Sequence, residues 1–478
     1  MSDVSVLGVD LGASSVKIGL ATYDGSKLSL VDEQVFRNRP IHLPTVSYWD
    51  VFSFYNAIKD ALSYFSADYN IDSIAVVSWG STYGLLDEKS RLIEPVYHYR
   101  DKRSEKSMDE IYKIITPEDL FKLTACQPNR TYALAQLFAY IEHGDREILE
   151  RAETLLFLPD LLSYFLSGTK GTEITITGTT GLLNAELNNW SYELFDLLNI
   201  PRHMIKDLIK PGEIRGPLLS AIKKETGAKD CLVTTGVGHD TFSGTLAIPD
   251  YGKNKLYLSM GTNTNMGLEL DDVIISEFAF ESGFKYSVGF DNQVYAYRDF
   301  AGFWLIDQLL ISFAGDGRSY TYDDILELTK NPNYSGEIFD VESPEFADIH
   351  GDIRVKINEQ LKSKGLKTLE EDYEFACCIF RSIAARISHY KEKYCELIGQ
   401  NVEGIYAING GSRNTSLMQM IADAVDMPVY AGLPQGTLIG NLLSQLYALG
   451  HLNNVSEIRE LSANSFEMKE YLPGDPII

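Results

Sequence analysis

The sequence predicts an α/β protein built as two similar domains, and three observations carry that expectation. Segments with strand patterning alternate with segments in helical register, which excludes the all-α and all-β classes. An opening strand–turn–strand pattern returns near residue 255, about half a chain later. The length of 478 residues exceeds what one ordinary hydrophobic core organises.

The chain begins VSVLGVDLGASSVKIGLATYDGSKLSLVDEQVF. An apolar strand enters a Gly/Ser turn, a second strand follows, and the Asp24-Gly25 turn leads to a third. YWDVFSFYNAIKDALSYFS then carries apolar residues at spacings of three and four, which predicts a helix. SIAVVSWGSTYGLLDEKSRL returns to strand patterning and predicts another hairpin. Helical stretches fill the middle of the first half, in EDLFKLTAC, ALAQLFAYIEHG and PDLLSYFLSG. KLYLSMGTNTNMGLELDDVI repeats the opening plan of strand, Gly and small polar bend, strand. A boundary is expected within residues 242–250, where GTLAIPDYGKN supplies Gly, Pro and polar residues, so the expected domains are 1–245 and 246–478. Residues 315–352 are rich in turn formers and read as loops with one helix.

Composition excludes several function classes. Hydrophobic residues at 45% and charged residues at 23% are the balance of a globular protein. The formal charge of -25 repels phosphate backbones, so no nucleic-acid partner is expected. The five cysteines are odd in number and lack metal-site spacing, which fits a reducing cytoplasm; adjacent Cys377 and Cys378 read as buried small residues on a helix. MSDVSVLGVDLG reads as a first strand rather than a signal peptide. No apolar run approaches ~20 residues, so no membrane association is expected.

Four places could carry chemistry. In VDLGASSVK, Asp10 ends a buried strand and Gly12, Ala13, Ser14 and Ser15 form a bend before Lys17. Such a bend offers N–H and hydroxyl donors to phosphate, while the carboxylate can hold Mg²⁺ through water. An ordinary hairpin would look the same. SMGTNTN offers a similar donor-rich bend at Gly261, Thr262 and Asn263. TTGVGHDTFSG places His239 and Asp240 on a turn entering a helix. There Asp240 could accept a proton from a sugar hydroxyl with His239 orienting the same substrate, or it could simply cap the helix. In YAINGGSRNTSLMQMIADAVDM a strand ends at Gly410-Gly411, and Asn414 stands at the start of an amphipathic helix. These glycines let a flat ring lie against the backbone, and a purely structural turn would use them too. PQGTLIGNLLSQLYALG follows as a second helix.

Familiar alternatives are missing. There is no G-x-x-x-x-G-K-[ST] loop. GVGHDT lacks the third glycine of a dinucleotide fingerprint, and the eight histidines never show H-E-x-x-H spacing.

Taken in order, these motifs resemble the FGGY carbohydrate kinases over essentially the whole chain. The resemblance is closest to the rhamnulokinase and L-fuculokinase branch, through VDLGASS, GLLD followed by HYRDKR, FLPDLLSYFLSG, TTGLL, IKPGEIRGPL, GHDT and GNLL. It implies two actin-like, ribonuclease-H-like domains around a deep interdomain cleft, and transfer of phosphate from ATP to the terminal hydroxyl of a ketose such as L-rhamnulose or L-fuculose. It implies Asp240 as catalytic base and Asp10 as the residue handling Mg²⁺. Gly12, Ala13, Ser14, Ser15 and Lys17 would cradle phosphates with Gly261, Thr262 and Asn263. Gly410, Gly411 and Asn414 would flank adenine, and Trp79, Gly80, Thr82 and His239 would face the sugar. The expected assembly is a monomer or homodimer.

The chain also departs from that branch. It has V-S-W-G-S-T-Y where the branch usually has D-T-W-G-V-D-F, so two carboxylates become Val77 and Thr82. A changed acceptor pattern alters which hydroxyls are tolerated, which leaves another ketose or polyol, or a silent actin-like sugar sensor, as alternatives.

Overall fold

The opening meander folds as its alternation predicts, into strands Val4–Leu11, Ser15–Tyr23 and Leu28–Arg37. This computed structural model describes residues 3–331, 334–346 and 351–475. By packing, the chain divides into two units. One comprises Met1–Asp250, Leu270–Ala296 and Gly436–Phe466; the other comprises Tyr251–Glu269, Tyr297–Gln435 and Glu467–Ile478. The expected division at residue 245 and the division by packing part company after that point, because two later segments return to the first unit.

The first unit is organised by a six-stranded sheet in the order Ile214–Pro217, Leu232–Thr234, Ser73–Ser78, Val4–Leu11, Ser15–Tyr23, Leu28–Arg37. Val4–Leu11 runs antiparallel to Ser15–Tyr23, with Asp10 opposite Lys17, and parallel to Ser73–Ser78, with Asp10 beside Val77. Side chains alternate across a strand. Leu7, Val9 and Leu11 therefore share one face and join a core with helices Val51–Phe65 and Leu158–Ser167. Gly8 and Asp10 take the other face. There the helix Gly436–Ala448 lies close, with Leu438 packed where Gly8 and Gly19 leave room. This helix is polar where it meets the sheet: Asn441 Nδ2 donates to the Val9 and Ala75 carbonyls at 3.1 and 3.0 Å, and Gln445 Nε2 to the Leu7 carbonyl at 3.0 Å.

The hairpin expected within SIAVVSWGSTYGLLDEKSRL forms around a turn at Asp87. Its arms are joined by the Leu86–Leu92 bridge and by the Asp87 and Ile93 amides, which donate to the Arg91 and Leu85 carbonyls at 2.9 Å each, while Tyr83–Leu86 also pairs along its length with Thr154–Phe157. The turn is local: the Asp87 carboxylate accepts from the Lys89 and Arg91 amides, and the strand's other edge takes the apolar run TLLF.

The second unit repeats the opening plan. Lys255–Met260 is antiparallel to Asn263–Leu270 and parallel to Gly404–Ile408; Val429–Gly432 and Met468–Tyr471 continue the sheet. Helix Asp372–Ile398 packs against helix Thr415–Val425 and buries Cys377 and Cys378 as expected. Within residues 315–352 the expected helix is Tyr322–Thr329, joined by a short turn at Pro344–Phe346; Pro332, Asn333 and residues 347–350 of that segment lie outside the described residues. Among the described residues no helix is long and apolar enough to cross a membrane.

Candidate active site

In the first unit the bend at 12–15 closes through the Gly12 amide, which donates to the Ser15 carbonyl at 2.8 Å. Ala13 and Ser14 are exposed at its tip, and Asp10 is buried beneath it. Burial pushes the Asp10 carboxyl up to about 7; Lys17, with Nζ 4.0 Å away, pulls it down, and the Asp240 charge raises it further. Two carboxylates thus sense one another on the same face of the sheet, an arrangement that a divalent cation would relieve.

Asp240 opens the helix Asp240–Leu246, with His239 at the N-cap position. Its Oδ1 accepts from the Thr241 amide at 2.7 Å and lies 3.3 Å from His239 Nε2. The helix is seated by Thr437, whose hydroxyl donates to the Asp240 carbonyl at 3.1 Å, and by Ser243, whose hydroxyl donates to the Thr437 carbonyl at 2.9 Å. Sequence reasoning placed Asp240 at the helix start and missed Thr437, which comes from the distant Gly436–Ala448 segment.

The turn carrying Trp79 and Gly80 meets the same region. A β-carbon on Gly80 would sit 2.4 Å from Thr179 Oγ1 and 3.6 Å from His239 Cδ2. Trp79 is buried, packs at a tilt against Trp49 with ring centroids 4.5 Å apart, and donates its indole N–H to Thr82 Oγ1 at 2.8 Å. Thr82 is buried and spends its oxygen on this bond; Val77 is buried inside its strand, against Gly236. Three of the expected sugar-facing residues, Gly80, His239 and Asp240, are therefore brought together, while Thr82 holds Trp79.

In the second unit the bend at 261–263 closes in the same way, the Gly261 amide donating to the Asn263 carbonyl at 3.0 Å. Gly261 also lines a cavity of about 420 Å³ with Gly410, Gly411 and Asn414; Thr262 and Asn263 are not in its wall. The apolar wall comes from Met260, Phe303, Leu326 and Phe380, none of which sequence reasoning singled out. Gly411 is required by close approach, since its β-carbon would lie 2.5 Å from Met260 Cβ and 2.6 Å from Phe303 Cε2, whereas Gly410 faces open space. Asn414 caps the helix Thr415–Val425, its Oδ1 accepting from the Leu417 amide at 2.9 Å.

Among the described residues no group of three or more His, Cys, Asp or Glu gathers as a protein cage. One buried carboxylate is nevertheless what Mg²⁺ asks of a protein when phosphate oxygens and water supply the rest, so Asp10 fits.

The chain and its fold have relatives among known proteins. The chain is 30% identical over 468 residues to a rhamnulokinase of Bacteroides thetaiotaomicron, covering 98% of this chain and 95% of that protein. It is 28% identical over 466 residues to a rhamnulokinase of Oceanobacillus iheyensis, covering 97% of each. The fold matches solved structures of gluconate kinase from Lactobacillus acidophilus, with a TM-score of 0.83 at 16% identity over 99% of this chain and 94% of that one, and of Plasmodium falciparum glycerol kinase with ADP, with a TM-score of 0.80 at 14% identity over the same shares. Residues 5–247 match the N-terminal domain and residues 256–449 the C-terminal domain of a single family. With both of its domains matched in order along one chain, this protein belongs to the FGGY family of carbohydrate kinases.

Proposed function

We propose that this carbohydrate kinase uses Mg-ATP to phosphorylate the terminal hydroxyl of a ketose, with L-rhamnulose as the first candidate and L-fuculose the second. The observation that carries the reading is Asp240, a part-exposed carboxylate opening a helix with His239 at 3.3 Å and the buried Asp10 as an electrostatic neighbour. Asp240 would accept the proton of the attacking hydroxyl while His239 orients the sugar; in loose phosphoryl transfer the base mainly positions the nucleophile, so an ordinary carboxylate suffices.

The first unit would hold the sugar and the base. Gly12, Ala13, Ser14, Ser15 and Lys17 there, and Gly261 with Thr262 and Asn263 in the second unit, would present N–H, hydroxyl and ammonium groups to phosphates. In the second unit the cavity floored by Gly410 and Gly411 would take the adenine, a use supported by its apolar wall and by the ADP of the Plasmodium glycerol kinase structure. Mg²⁺, held from Asp10 through water, would supply neutralisation of phosphate charge. The rhamnulokinase relatives support the choice of sugar.

A different ketose or polyol is the second reading, favoured by Thr82, whose hydroxyl oxygen holds Trp79 where the rhamnulokinase-like pattern has a carboxylate. Both readings are tested by sugar-dependent ADP release with Mg-ATP across L-rhamnulose, L-fuculose, L-ribulose, D-xylulose, D-ribulose and glycerol. A response to L-rhamnulose or L-fuculose upholds the first, and a response to another sugar or glycerol alone the second. Silence throughout, with sugar binding detected by calorimetry, replaces both with a sensor.

A further inference from the structure

We infer that Glu173 is a positioning residue for the Asp240 turn, acting through the amides of Gly238 and His239. Glu173 is fully buried and caps the short helix Ile174–Thr177: Oε1 accepts from the Thr175 amide at 2.9 Å, and Oε2 from the Ile176 amide at 2.9 Å and the Thr175 hydroxyl at 2.7 Å. Capping a four-residue helix needs no more than these bonds. The same Oε2 also reaches across to the Gly238 amide at 3.2 Å, and the Thr175 hydroxyl accepts from the His239 amide at 3.3 Å. Consecutive amides directly before Asp240 are thereby tied to one carboxylate and the hydroxyl bonded to it.

The fit is close. A β-carbon on Gly238 would lie 2.4 Å from Glu173 Oε2. Behind Glu173, its own amide donates to Asp160 Oδ2 at 3.1 Å, and the other Asp160 oxygen is held by the buried Arg215, which also donates to the Gly171 carbonyl at 3.2 Å. The segment reaches the Trp79-Gly80 turn as well, since the Ser81 hydroxyl donates to the Thr179 carbonyl at 3.0 Å. A buried carboxylate is costly unless fully satisfied, and this one completes its set of bonds with an amide of a turn 65 residues away. That turn aims a carboxylate whose displacement by a fraction of its bonding distance lowers the rate of transfer.

The inference rests on Asp240 being the base, and its test separates the two. Thr175→Val keeps the side-chain shape and removes the hydroxyl, Thr175→Ser keeps the hydroxyl, and Glu173→Gln removes one acceptor. Thr175→Val and Glu173→Gln are expected to lower kcat for the responding sugar by about tenfold or more. Over the same variants KM for ATP stays within about twofold, and Thr175→Ser retains wild-type kcat. Hydrogen exchange read by mass spectrometry is expected to quicken at residues 238–240 in the first two variants and not in the third. Wild-type kcat and exchange in Thr175→Val, or a loss shared by Thr175→Ser, overturns the inference. If the wild-type protein releases no ADP with any sugar, the kinase reading fails and the exchange data alone decide: quickening confined to 238–240 upholds the role of Glu173, and unchanged exchange refutes it.

Discussion

Gly440 and Ser243 meet so closely that a β-carbon on Gly440 would lie 1.7 Å from the Ser243 carbonyl oxygen. The obstacle is backbone, which cannot swing aside, so Gly440→Ala must part the helices Gly436–Ala448 and Asp240–Leu246. The expected cost is about 3 kcal/mol or more, from overpacking alone. Chemical denaturation reads the loss, and Gly440→Ser should be at least as severe; a Gly440→Ala protein of wild-type stability would mean that the two helices are not held together as described.

Asp240→Asn keeps the size of the side chain and removes its basicity. Sugar-dependent ADP release is expected to fall by about 10²–10⁴-fold, the usual worth of a positioned general base. ATP affinity, measured by calorimetry, should be unchanged. Activity that survives the substitution would assign the proton to another group.

The neighbouring glycines of the second unit should behave differently. Gly410→Ala places a methyl group in open cavity space and is expected to raise KM for ATP by about tenfold with no change in Tm, the usual penalty for one carbon in a filled pocket. Gly411→Ala drives its methyl against Met260 and Phe303, so Tm should fall whether or not nucleotide is present. Equal behaviour of the two variants in both assays would contradict the geometry.

His98 gives a pH dependence with a definite sign. Burial first, then the charges of Arg100 and His42, hold its imidazole down at about 4, and its Nδ1 accepts from the Arg100 amide at 3.0 Å. The unfolded chain takes up a proton near the ordinary value of 6.5 that the folded chain refuses. Stability from this group is therefore complete above that value and lost as pH falls toward 4. Comparing unfolding free energies between about pH 7 and pH 4.5, His98→Gln should show the shallower decline. Parallel slopes would remove His98 from the acid response.

Much of the site was legible because it depends on local sequence. The Gly/Ser bend after Asp10, its counterpart at Gly261 and the helix opened by Asp240 each announce themselves within a dozen residues, through strand alternation ended by small polar residues. What stayed hidden is assembled from afar. Leu326 and Phe380 lie within helices and Phe303 just before one, and nothing local says that they line a cavity. Glu173 looks like any cap until Gly238 is folded beside it. Thr82 read as a sugar-facing replacement for a carboxylate, and its bond to Trp79 is visible only once the turn between them is closed.

The return of Gly436–Phe466 to the first unit bears on how the protein is made. A ribosome completes residues 1–250 long before it reaches Asn441 and Gln445, whose amides bond the carbonyls of Leu7, Val9 and Ala75. Until then the nascent sheet lacks the helix that covers its Gly8 and Asp10 face, and Asp240 lacks its Thr437 bond. The earliest part of the chain is thus among the last to be finished, and a gene fragment cut at the sequence midpoint would encode an open half-core rather than an independent lobe.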